Sequence, residues 1–320
     1  DLYHAIPPRL FQAGTPPAEM LHKESYSSFF GKTLAACMSG DRSICAVTAA
    51  MSDGTGMSDI AKQFPERFFD VGIAEGHAMT FCAGLAVSGM RPVFAVYSSF
   101  LQRAYDNLLH DAALQKLPIV ICIDRAGLNA CDGPTHHGIF DVAFLSHIPN
   151  VKILAPLSYQ SLQSAMKEAL SGAFAGVTAI RYPKGGELPP ILQAFFDNNP
   201  PQSIAKPDFP PDKAPEYLIL TYGNIAEEAL KAEELLKQAG VSAGTVLLEL
   251  LKPCQTAAEA ILPFLSSAVK HVLFLEEGVR SGGAGMILIE YLRNMPQLAH
   301  TTFHLLAIDD SFAFSQSGKS

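Results

Sequence analysis

A chain of 320 residues, 48% hydrophobic and 17% charged, can bury the cores of two ordinary domains and is too apolar for wholesale disorder. Its formal net charge of −8 speaks against a nucleic-acid or anionic-membrane surface, while leaving room for a local basic pocket. No apolar run reaches the length of a membrane span, and the opening DLYHAIPPRL has neither a basic start nor an apolar stretch, so no secretory signal is expected.

Residues 1–25, with PPRLFQAGTPPAEM, are rich in Pro, Gly and polar residues and predict an extended lead-in. From Tyr26 a regular alternation begins. SICAVTAA, RFFDVGI, PVFAVYSS, PIVICIDR, VKILAPLS and VTAIRYP are short apolar runs suited to buried parallel strands. Between them AMTFCAGLAVSG, FLQRAYDNLLHDAALQKL and YQSLQSAMKEALSG predict helices. This order implies an α/β fold with a doubly wound domain over 26–186. Residues 187–214 carry many prolines and Asn/Asp and predict a linker. Over 215–320 the alternation resumes through YLILTYG, AGTVLLEL, HVLFLEEG and TFHLLAI, predicting a second, smaller doubly wound α/β domain.

Parallel sheets bind ligands beyond the carboxyl ends of their strands. Under that rule Glu75 ends the strand around VGI, and Tyr97, Ser98 and Ser99 end VFAVY, with Phe100 and Arg103 opening the next helix. Asp124 and Arg125 end IVICI, and the loop NACDGPTHHG that follows carries Asp132, His136 and His137. Arg181 and Tyr182 end VTAI. All are expected to face one crevice.

Each has a plainer reading. Glu75 could cap a helix starting at Gly76, though apolar sequence on both sides favours a buried functional carboxylate. Tyr97 and Phe100 could be core aromatics, and Arg103 a solvated surface cation. Arg125 and Arg181 follow buried strands and suit an anion. A loop histidine more often hydrogen-bonds than ligates a metal. The six cysteines show no C-x-x-C and no zinc spacing, which suggests reduced core residues in a cytosol-like compartment. Cys131 is the one candidate for a catalytic thiol.

From YSSFFGKTL to RYPKGG the sequence resembles the pyrimidine-binding domain of transketolase-like thiamine diphosphate enzymes. Within that group VGIAEGHAMTFCAGLAVSGMRPVFAVYSSFLQRAYDNLLHD, LPIVICIDRAGLNACDGPTHHGIFD and AIRYPKG are similar to the 1-deoxy-D-xylulose-5-phosphate synthase family. LLELLKPC and EEGVRSGGAGM carry the likeness into a transketolase-type C-terminal domain. The resemblance implies that Glu75 hydrogen-bonds the aminopyrimidine of thiamine diphosphate and sets its tautomer. It implies further that Phe100 stacks on that ring, with Tyr97 beside it. Arg125 and Arg181, helped by Tyr97, would hold the phosphate of D-glyceraldehyde 3-phosphate. Asp132 and His136 would lie near the reacting carbons, with His136 moving a proton, and Arg103 would belong to the same region. The implied reaction joins pyruvate and D-glyceraldehyde 3-phosphate into 1-deoxy-D-xylulose 5-phosphate and carbon dioxide, in a cytoplasmic or plastid homodimer that needs no nucleic acid or membrane.

Two departures stand out. Gly76 replaces the glutamine common after the glutamate, which would enlarge the pocket or loosen the helix start. No GDG magnesium motif occurs, and SDGTGM at 52–57 has the wrong first residue and no suitably placed Asn. The Mg2+ ligands are therefore expected in an N-terminal domain outside this chain, making it part of a longer synthase or one subunit of a split enzyme. The alternatives are the β subunit of a 2-oxoacid dehydrogenase, another transketolase relative, or a non-catalytic homologue.

Overall fold

The computed structural model describes residues 24–129, 133–187, 192–196, 199–210 and 213–313. Asp132 and Cys131 lie outside the described residues, as do most of the 1–25 lead-in and parts of the 187–214 segment. The first helix, Tyr26–Gly40, starts where the side chain of Ser25 accepts from the Ser28 backbone N–H at 3.1 Å. Tyr26, Phe30, Leu34 and Met38 recur every four residues on its buried face.

The strands of the first domain are β1 (Ile44–Thr48), β2 (Phe68–Asp70), β3 (Arg91–Tyr97), β4 (Val120–Asp124), β5 (Val151–Leu154) and β6 (Val177–Arg181). Those of the second are β7 (Ala205–Pro207), β8 (Tyr217–Thr221), β9 (Ala243–Leu248), β10 (Leu250–Lys252), β11 (His271–Val279) and β12 (Thr302–Ile308). Among the described residues they form a seven-stranded sheet, β10-β5-β6-β4-β3-β1-β2, and a five-stranded sheet, β12-β11-β8-β9-β7. β1, β4 and β6 are buried along their whole length, as unbroken apolar runs in a parallel sheet should be. The expected α/β class with two mainly parallel sheets is observed.

The chain leaves β1 toward β2 on one side and returns to β3 on the other, so the order reverses between β1 and β3. A crevice opens at such a switch point, beyond the carboxyl ends of the flanking strands. Tyr97 ends β3 at that point.

The structure differs from the sequence expectation in three places. The strand before Glu75 stops at Asp70, and the chain turns through Gly72 at φ +73° before the Glu75–Val87 helix. The expected linker adds β7 antiparallel to β9. There Lys206 pairs with the buried Glu249, whose other oxygen accepts from Ser161 of the first domain at 2.8 Å. Finally, β10 crosses over to pair antiparallel with β5, so the second half of the chain completes an edge of the first sheet. A three-residue segment carries too little pattern to reveal its partner.

Candidate active site

The crevice assembles around Glu75. Its side chain is 4% accessible, and Oε1 accepts from Arg103 Nη1 at 2.6 Å. The helix N-cap is Ala74, with no side-chain cap hydrogen bond, so the carboxylate serves its partner across the crevice and not its own helix end. Arg103 reaches it from a tightened 3-10 turn, Gln102–Ala104, within a helical path that loosens to π geometry over Leu108–Ala113. Such changes of pitch re-aim side chains and recur at functional sites. The sequence pattern alone predicts an uninterrupted helix here.

Phe100 lies beside this pair. The Arg103 guanidinium carbon is 4.9 Å from the Phe100 ring centre. The Phe100 ring also stacks on Tyr97 at 5.8 Å and meets His136 edge-on at 5.4 Å. The Arg125 guanidinium carbon sits 3.8 Å from the centre of the Tyr97 ring. Arg125 itself has φ +60°, a left-handed turn straight after β4 that directs its side chain back over the crevice. Glu75, Phe100, Arg103, Tyr97, Arg125 and His136 are thus brought together.

Two cavities flank the Tyr97–Phe100 stack. One, of about 510 Å³, is lined by Ser98, Ser99, Phe100, Arg103 and Thr135, among others. The other, of about 670 Å³, is lined by Arg125, Lys184, Lys32, Ser27 and the Asp53–Gly54 turn. Gly54 is required there because an added Cβ would lie 1.5 Å from the Tyr97 hydroxyl. SDGTGM, which falls short of a magnesium motif, therefore forms a wall against Tyr97. Among the described residues no group of three or more His, Cys, Asp or Glu could hold a metal ion.

Arg181 stands in a buried ion pair. Its Nε donates to Asp141 Oδ2 at 3.0 Å and its Nη2 to Asp141 Oδ1 at 3.3 Å, with both side chains almost fully buried. It underlies the histidine loop, whose base is closed by paired backbone hydrogen bonds between Gly127 and Gly138 at 2.8 Å. The guanidinium is thus answered by a buried carboxylate at the base of that loop. Of the two loop histidines, His137 is buried and its Nδ1 accepts from the Asn129 backbone N–H at 2.9 Å. Burial also lowers its pKa, and it lines the cavity beside Phe100, while the half-exposed His136 meets the Phe100 ring edge-on.

Gly76 faces the neighbouring helical segment and does not line either cavity. An added Cβ would lie 2.8 Å from Asn107 Oδ1 and 3.5 Å from the Arg103 carbonyl oxygen. Its effect is to let that segment approach the start of the Glu75–Val87 helix.

One group escaped the sequence reading of the site. Glu277, on β11, accepts from the Leu128 backbone N–H at 3.4 Å and fills the space where Gly127 would carry a Cβ. Burial pushes its pKa up to about 6. The strand-end rule applied to HVLFLEEG would have found it. Asp124 was noted at the end of β4, but its state was not legible. It is fully buried, neither carboxylate oxygen has a hydrogen bond of good geometry among the described residues, and burial, offset in part by Ser27 and Arg125 nearby, raises its pKa to about 6.

A raised carboxyl pKa gives a definite sign. The unfolded chain releases this proton near its ordinary value of 3.8, whereas the folded chain holds it to about 6. The group's stabilising effect is full below the lower value and is lost as pH rises through the upper one. Asp124→Asn is therefore expected to gain on the parent by on the order of 2 kcal/mol between about pH 4 and about pH 7. Urea unfolding at both ends of that range reads the difference, and an advantage that does not change with pH would refute it.

Comparison with known proteins places these features in context. Residues 22–187 match the family described as transketolase, pyrimidine binding domain, and residues 211–309 match the transketolase C-terminal domain. The chain is 44% identical over 293 residues to the 1-deoxy-D-xylulose-5-phosphate synthase of Syntrophotalea carbinolica. It is 41% identical over 302 residues to that of Caldanaerobacter subterraneus. These matches take in 91% and 92% of this chain but 45% of each relative, so the chain spans under half the length of those curated relatives. Among solved structures, a split gene transketolase described as an inactive beta4 tetramer superposes with TM-score 0.72 at 24% identity, over 92% of both chains. Transketolase from Campylobacter jejuni does so with TM-score 0.69 at 16% identity, over 91% of this chain and 43% of that one. Both likenesses are of fold.

Proposed function

The chain belongs to the transketolase pyrimidine-binding family, and from that premise we propose that it forms the pyrimidine side of a thiamine diphosphate-dependent synthase active site. The proposed reaction condenses pyruvate with D-glyceraldehyde 3-phosphate, giving 1-deoxy-D-xylulose 5-phosphate and carbon dioxide. Magnesium and the diphosphate would be held by a further domain, in a cytoplasmic homodimer.

One observation carries the reading: Arg103 joins a buried carboxylate, Glu75, to an aromatic ring, Phe100, and Phe100 and Arg103 line an open cavity. That pairing fits an aminopyrimidine, which offers nitrogen donors at its edge and an apolar face for stacking. When bound, thiamine diphosphate supplies the carbanion chemistry. The residues of this chain bind, orient and move protons. Glu75 holds the ring nitrogen and sets its protonation, Phe100 with Tyr97 fixes the ring plane, and His136 exchanges a proton with the substrate. Arg125 recognises the acceptor's phosphate from beside Tyr97, with Lys184 lining the same cavity.

The test is formation of 1-deoxy-D-xylulose 5-phosphate when the chain is combined with the diphosphate-binding half of a synthase. Ketol transfer between sugar phosphates without use of pyruvate would overturn the proposed reaction. In the active assembly, Arg125→Ala is expected to raise the Michaelis constant for glyceraldehyde 3-phosphate by about tenfold or more, the loss typical of a hydrogen bond to a charged group. The constant for pyruvate should stay nearly unchanged. Equal effects on both substrates would remove Arg125 from the phosphate.

A further inference from the structure

We propose that Arg103 is a built-in occupant of the pyrimidine position, holding Glu75 and covering Phe100 until the cofactor ring displaces it. This rests on the reading of Glu75 and Phe100 given above.

The contacts argue for it. Arg103 makes both contacts assigned to the ring: a 2.6 Å hydrogen bond to Glu75 Oε1, and a guanidinium carbon 4.9 Å from the centre of Phe100. Chemistry makes the mimicry close. A guanidinium and an aminopyrimidine both carry a planar N–C–N unit with N–H donors at its edge and a flat face for an aromatic. Arg103 and the ring would compete for Glu75 Oε1 and for the Phe100 face that the guanidinium covers.

Exposure makes the exchange feasible. The Glu75 side chain is 4% accessible and fixed at its helix start, whereas that of Arg103 is 52% accessible and approaches from solvent. The arginine is therefore the partner that moves, and the cavity of about 510 Å³ that it lines gives it room. A half-exposed ion pair holds weakly enough to be displaced, yet it spares the buried carboxylate from standing unpaired. Gly76 contributes by bringing the Arg103 turn close, since its missing Cβ would face the Arg103 carbonyl oxygen and Asn107.

An occupant present for most of the time lowers apparent affinity by the fraction of time the site is open. Calorimetric titration with thiamine diphosphate and magnesium of the chain combined with the diphosphate-binding half of a synthase is the test, comparing wild type, Arg103→Ala and Glu75→Gln. Arg103→Ala is expected to bind about three- to tenfold more tightly, corresponding to a site closed roughly 70–90% of the time. Glu75→Gln is expected to bind more weakly than Arg103→Ala. The wild-type chain gives a check that needs no substitution: side-chain nitrogen NMR should show the Arg103 guanidinium hydrogen-bonded in the free chain and released at saturation. Unchanged or weaker binding by Arg103→Ala, with Glu75→Gln still impaired, would overturn the occupant role alone. Failure of both wild type and Arg103→Ala to bind would overturn it together with the cofactor role of Glu75.

Discussion

Glu75→Gln is expected to leave the fold intact and to lower turnover at least about a hundredfold in the assembled enzyme, the usual loss for a positioned proton-transfer group. The amide keeps the shape of the carboxylate in a pocket where only 4% of the side chain is accessible, so packing is preserved. The Arg103 pair is lost, but that arginine is half exposed and water replaces its partner at a cost of less than about 1 kcal/mol. What disappears is the negative charge that would favour a protonated ring nitrogen. Turnover at saturating thiamine diphosphate, read beside a urea unfolding curve, checks both halves of the expectation. Near-parental turnover would sink the assignment of Glu75, and a large loss of stability would make it a structural residue.

Arg181→Ala is expected to be costly for a different reason. Arg181 and Asp141 are 5% and 1% exposed, joined by two hydrogen bonds, with the guanidinium carbon 5.1 Å from the Tyr222 ring centre. Removing the arginine strands a carboxylate in the interior, which typically costs about 3–5 kcal/mol. It also frees the Gly138 carbonyl, to which Arg181 Nη2 donates at 3.4 Å, at the base of the histidine loop. Denaturant unfolding should show the loss directly. Arg181→Met combined with Asp141→Leu should recover most of it, because no buried charge then remains. Unchanged stability, with a selective rise in the Michaelis constant for the phosphorylated substrate, would return Arg181 to the anion role that its strand-end position suggests.

Much of the fold was legible in the chain. Buried parallel strands read as unbroken apolar runs, and SICAVTAA, PIVICIDR and VTAIRYP contain β1, β4 and β6 as predicted. Carboxyl-end placement also marked out Tyr97, Phe100, Arg125 and His136, which the structure gathers round one stack. Backbone alternation is a local property, and the winding rule converts it into position without knowledge of contacts.

Sequence alone therefore determined the α/β class, the two sheets and which polar residues stand at strand ends. Tertiary structure decided which charge meets which. It joined Glu75 to Arg103 across 28 residues, turned Arg181 inward to Asp141, and left Asp124 without a hydrogen bond of good geometry among the described residues. It also sent β10 to the far edge of the first sheet. The physical reason is that apolar periodicity repeats along the chain and can be read from neighbours in sequence. The partner of a buried charge depends instead on desolvation and on a few ångströms of approach between distant segments, which exist only once the sheets have closed.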